Sequence, residues 1–149
     1  MTARWFAASL HLLALGIGLG AVWFRGRILG SSLDSRAMRQ LFAADGLWGL
    51  AAVLWIATGL WRWLGGLEKG SGYYVQNHVF LTKMALLGVV LLLEIRPMVT
   101  LIGWRRAVSQ GQTPDTGSAP ILARISFAQA GLVALMVFAA TAMARGVGM

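Results

Sequence analysis

Cysteine is absent from this chain, histidine occurs twice, proline three times, and only five of 149 residues are Asp or Glu. Without Cys there are no disulfides, thiolate ligands or thiol chemistry, and the redox compartment stays open. Two His residues exclude a bundle holding two bis-His haems. The sequence also lacks a paired metal motif such as His-x-x-x-His, a phosphate loop and a nucleophile elbow. Charge is scarce at 12% of residues, against 58% hydrophobic and a mean hydropathy of +0.70. A soluble domain is about 25% charged and about 45–50% apolar, so both departures name lipid as the solvent. The length suits one small domain.

What is abundant is long apolar runs. Four of them, Trp5–Phe24, Leu41–Leu64, His78–Leu101 and Ile125–Ala144, have the roughly 20 residues that a helix needs to cross about 30 Å of hydrocarbon. They are too long, and too little alternating, for β-barrel strands. The expected fold is therefore all-α, an integral membrane four-helix antiparallel bundle occupying residues 1–149. The first run is read as a retained helix and not as a signal peptide. It is basic only at Arg4, and Trp23, Phe24 and Arg25 follow it where a small-residue cleavage site would stand. Gly16-x-x-x-Gly20 in this run marks a candidate close-packing face. Trp5, Trp23, Trp48, Trp61, Trp63 and Trp104 lie near run ends, as interfacial anchors do.

The connections are polar. In 25–40, Asp34 to Arg39 can begin a helix early, with Ser32 or Asp34 as its cap. Gly-rich 65–77 and the Gly- and Pro-containing 109–120 break helix. The formal net charge is +8. Because the Arg residues flank apolar runs, topology and anionic lipid account for it, and nucleic acid is not expected. The first and third connections hold Arg25, Arg27, Arg36, Arg39, Arg105, Arg106 and Arg124, seven in all, against Arg4, Arg62, Lys69 and Arg145 on the other side. The positive-inside rule then puts both termini outside the cytoplasm, and in a bacterial inner membrane that is the periplasmic side.

Polar residues within the runs are the candidate sites, since a charge at membrane depth costs at least about 2.5–3.5 kcal/mol. Counting from the run ends, His11 lies about 9 Å in and Lys83 about 7.5 Å in on the same side. Thr58 sits at a similar depth, with Arg62, Tyr73, Tyr74, His78 and Arg145 at the rim. The expected cofactor-binding set is His11, Lys83, Arg145, Thr58 and Tyr74, with His11 as the metal-side ligand. The plainer alternative makes His11 a helix-to-helix hydrogen bonder and the Arg residues interfacial anchors. On the opposite side Asp45 and Arg96 match in depth as a structural ion pair, with Glu94 half a turn deeper and Gln129 on the last helix. Lys83, Leu87, Val90 and Glu94 share one face, expected to point into the bundle. Arg96, roughly opposite Glu94, meets another neighbour or extends to the headgroups.

Across nearly the whole chain these residues resemble a family of small predicted bacterial membrane proteins filed as a domain of unknown function. The resemblance is carried by His11, Asp45-Gly46-Leu47, Ala57-Thr58-Gly59-Leu60, Tyr73-Tyr74, Lys83-Met84, Pro97, Trp104-Arg105-Arg106 and Ala144-Arg145-Gly146. It implies no activity. A weaker resemblance, on the His of the first helix, Thr58-Gly59-Leu60 and Lys83, is to the bacterial membrane-bound protoporphyrinogen oxidases, a haem-binding family. It implies His11 as haem ligand and Lys83 near tetrapyrrole carboxylates. Glu94-Ile95-Arg96-Pro97 stands where that family carries His and Tyr.

Three functions are compatible with this reading. The first is a redox or cofactor protein that holds haem b, a porphyrin or a quinone between its helices near the outer face. The second is an accessory or assembly subunit of a larger membrane complex, partnered by other subunits or by its own copies. The third is a proton or ion pathway through His11, Lys83, Glu94 and Asp45.

Overall fold

A computed structural model describes residues 2–65, 72 and 76–147. Among the described residues are four helices long and apolar enough to cross a membrane: α1 (Thr2–Leu29), α2 (Ser35–Leu64), α3 (His78–Ser109) and α4 (Ala119–Ala144). Each is longer than the apolar run that announces it. The hydropathy marks the stretch that needs hydrocarbon, whereas the helix continues into the headgroup layer. At 1.5 Å per residue, the 28 residues of α1 span about 42 Å.

The extra turns have local causes. Asp34 caps α2, its carboxylate accepting from Ala37 N–H at 2.7 Å. Asn77 does the same for α3, accepting from Val79 and Phe80 N–H. Pro120 opens α4 in the first turn, where its missing N–H costs nothing. Pro97 lies inside α3, which runs on unbroken to Ser109.

Helix α1 packs against α2 and α4, and α3 packs against α4, while α2 and α3 make no comparable backbone approach. The bundle is thus closed on three sides and loosely joined on the fourth. The buried positions recur every three or four residues: Ala7, His11, Ala14, Gly18, Ala21 and Arg25 on α1, and Leu41, Ala44, Trp48, Ala51, Trp55 and Thr58 on α2. That 3.5-residue spacing is the seam of left-handed helix packing. Many of the largest apolar side chains face outward instead, among them Leu12, Leu64, Leu92, Val99 and Phe138. Lipid is as apolar as Leu, so small and polar residues gain most from facing inward.

Two expectations about packing are corrected. Gly16 and Gly20 are exposed, and a Cβ on either would meet nothing within 4 Å. The close approaches fall on Gly18, where a Cβ would lie 3.4 Å from Trp48 and Ala51, and on Gly26, where it would lie 3.0 Å from the Phe127 ring. Trp48 and Trp104 are buried core residues and not interfacial anchors, whereas Trp5, Trp23 and Trp61 are exposed.

Candidate functional site

The bundle has a charged end, near the α1–α2 and α3–α4 connections, and a cavity at the end bearing the termini. At the charged end Arg25 is completely buried. A guanidinium has five N–H donors, and all five are used. Nε donates to Ser126 Oγ (3.0 Å), Nη1 to Asp45 Oδ1 (2.9 Å) and Glu94 Oε1 (2.8 Å), and Nη2 to Glu94 Oε2 (2.9 Å) and Gln129 Oε1 (2.7 Å). Gln129 Nε2 in turn donates to Glu94 Oε2 and to the Val90 carbonyl. The Trp48 ring lies under the guanidinium, 6.0 Å away. One side chain from α1 therefore gathers α2, α3 and α4.

The same cluster settles the fate of Asp45. Its second oxygen accepts from Arg105 Nη2 at 2.8 Å, and Arg105 also donates to the Phe42 carbonyl at 3.0 Å. The expected pair of Asp45 with Arg96 is not formed. Arg96 is exposed on the far side of α3, about 200° around the helix from Glu94, and Arg25 and Arg105 take its place. Two cations and two carboxylates sum to zero charge.

The apolar run closes at Phe24, which puts Arg25 in the expected connection, whereas α1 carries it inside the bundle. Its position carried a usable signal, since it lies two heptads beyond His11 on the stripe of small residues from Ala7 to Ala21. Ser126 had no comparable signal.

At the other end an open cavity of about 480 Å³ lies among α1, α2, α3 and α4, walled by His11, Trp55, Arg62, Lys83, Met136 and Thr141. His11 is buried, its ring stacked on Trp55 with centroids 5.6 Å apart. His11 Nδ1 lies 3.0 Å from Thr58 Oγ1. The single Thr58 hydroxyl hydrogen is directed to the carbonyls of Leu54 (2.7 Å) and Trp55 (3.1 Å). With that hydrogen engaged, Thr58 Oγ1 accepts from His11, which puts a proton on Nδ1. Gly59 makes room for this: a Cβ there would stand 3.2 Å from His11 Cε1. Thr58 and Gly59 thus act together, one fixing the ring and the other admitting it.

Of the other expected site residues, Lys83 lines the cavity with His11, and so does Arg62, expected at the rim as an anchor. Arg145 caps the exposed end of α4 and is not part of the wall. Tyr73 and Tyr74 lie outside the described residues. Lys83, Leu87, Val90 and Glu94 do face inward. Trp55 and Met136 join the wall unannounced, and the Trp55 indole N–H is buried without an acceptor among the described residues. No group of three or more His, Asp or Glu side chains gathers into a metal-binding cluster among those residues.

The chain belongs to the predicted membrane protein family DUF2214. The family match extends over residues 3–148. No curated protein and no solved structure matches it. The resemblance to the protoporphyrinogen oxidases finds no support in these comparisons.

Proposed function

We propose that this member of DUF2214 holds an amphipathic redox cofactor, a haem, porphyrin or quinone, in the cavity at the termini end. The observation that carries the reading is the oriented imidazole. An Nδ1–H donated to Thr58, with the ring fitted against Gly59, holds the imidazole in one orientation on the cavity wall. This is the outer-shell arrangement that histidines in metal and redox sites use. Lys83 and Arg62 on the same wall suit carboxylates or carbonyl oxygens, and about 480 Å³ lies within the range of small-molecule sites. The bound group would supply electron transfer, while the protein's residues bind it, orient it and exclude water.

The charged end supports a different role for Asp45 and Glu94. Both are held by Arg25 in a cluster of zero net charge that joins four helices, so they serve as a lock and not as steps in an ion path. Withdrawing Arg25 from the loop count leaves six basic residues against four, so the orientation we infer is unchanged. The termini and the cavity face the periplasm of a bacterial inner membrane.

The test is mass spectrometry of organic extracts from protein purified in native lipid. A haem, porphyrin or quinone near one per chain, depleted in His11→Ala, supports the reading. An extract carrying none of them removes it and leaves the accessory-subunit alternative.

A further inference from the structure

The loosely joined side of the bundle has a defined shape. Toward the termini end Trp63 of α2 meets Phe80 of α3, ring centroids 5.5 Å apart. Toward the charged end Asp45 of α2 meets Arg105 of α3 at 2.8 Å. Between these two bridges, about 27 Å apart along α2, a window opens sideways toward the lipid. It holds a cavity of about 310 Å³ and a smaller one of about 90 Å³. Its α2 edge is cut low by Gly46, Gly49 and Ala52, on one helix face at three-residue spacing. Leu91, Met98 and Ile102 of α3 form the outer lip, each roughly half exposed.

The window adjoins the terminal cavity. The smaller pocket shares Ile56 and Leu87 with the window, and His11, Lys83 and Met136 with the terminal cavity; Trp55 lines all three. Trp55 is 7% exposed, and its N–H lacks an acceptor among the described residues. A buried donor without a partner is costly, and an oxygen-bearing ligand would remove that cost.

We infer that the ligand is a tailed quinone, entering from the bilayer between α2 and α3, its ring beside His11 and Trp55 and its isoprenoid tail in the α2–α3 window. This deepens the cofactor reading and rests on it. The ring end offers the buried Trp55 indole donor and an aromatic wall of His11 and Trp55, which suit a flat ring bearing oxygens. The window offers a slot lined mainly by apolar side chains, with Asp45, Glu94 and Arg105 at its charged end, in line with that site. Hydrocarbon by itself gains little by leaving lipid for such a slot. The tail occupies it because the bound ring tethers it there at high effective concentration.

The test is photolabelling in nanodiscs with a benzoquinone whose isoprenoid tail carries a diazirine, mapped by peptide mass spectrometry. Label is expected on Ile56, Leu87 and Leu91 at about tenfold the level on lipid-facing Leu13, Leu50 and Leu135, the preference that about 1.4 kcal/mol gives. Gly49→Leu should abolish that preference. A Cβ at Gly49 meets nothing within 4 Å, so the new side chain starts in open space on the window's edge. The same tail on a phosphocholine headgroup should label evenly.

Even labelling by the quinone probe, a preference surviving Gly49→Leu, or equal preference with the phosphocholine probe overturns the inference. Quenching of Trp fluorescence by a tailless benzoquinone, weakened in His11→Ala, reports the ring site alone. If that quenching holds while the tail labels evenly, the window falls and the cavity reading stands. If both signals are missing, quinone is removed from both.

Discussion

The Arg25 guanidinium meets the Glu94 carboxylate edge to edge, with Nη1–Oε1 at 2.8 Å and Nη2–Oε2 at 2.9 Å. This two-toothed geometry matches the planar fork of arginine to the two oxygens of a carboxylate. Inside a bundle bathed in lipid, neither group can turn to bulk water if the other is lost. Arg25→Met should therefore cost about 3–5 kcal/mol, as breaking a buried pair does. Lys supplies three donors where Arg supplies five, so Arg25→Lys should recover only part of the loss. Thermal unfolding in a mild detergent checks both.

Charge arithmetic makes a sharper expectation. Arg25→Met leaves Glu94 as an uncompensated, partly buried carboxylate at membrane depth. Adding Glu94→Met removes that charge, and Asp45 keeps Arg105. The double variant should thus be more stable than Arg25→Met alone, a non-additivity read from a double-mutant cycle. Strictly additive losses would contradict the cluster.

The glycines divide by what a Cβ would meet. Gly26→Ala drives a methyl to 3.0 Å from Phe127 and should cost about 1–3 kcal/mol. Gly16→Ala and Gly20→Ala meet open space and should be neutral or gain up to about 1 kcal/mol from helix propensity. Unfolding midpoints of the three variants separate the two cases.

Thr58→Val keeps the shape of the side chain but removes the acceptor of the His11 proton. Gly59→Ala crowds the His11 ring from the next position. Both should lower cofactor content at least as far as about tenfold, the equivalent of about 1.4 kcal/mol, with a smaller effect on unfolding than Arg25→Met. Cofactor content unchanged in both would separate His11 from binding.

The four spans were legible because hydrocarbon demands about 20 apolar residues in a row and tolerates little else. The inward faces were harder to read. In a soluble bundle the apolar stripe marks the core, but here Leu12, Leu92 and Phe138 are as apolar as anything inside and face lipid. Rare polar residues stood out against that uniform background, so His11, Thr58, Lys83, Asp45, Glu94 and Gln129 could be picked from the sequence. Arg25 was lost because it stands where an apolar run stops, the usual place for a topology-setting arginine. Only the small-residue stripe behind it tells the two cases apart. The choice of Arg25 and Arg105 over Arg96 for Asp45 depends on helix rotation, which depth counting does not contain.

The most direct measurement is an oxidised-minus-reduced absorption spectrum of the protein in native-lipid nanodiscs, with His11→Ala alongside. A redox-sensitive band is expected in the first, either a Soret shift or ultraviolet bleaching of a quinone, and is expected to fade in the variant. A flat difference spectrum from folded protein, or a band of equal strength in His11→Ala, would contradict a redox cofactor seated at His11.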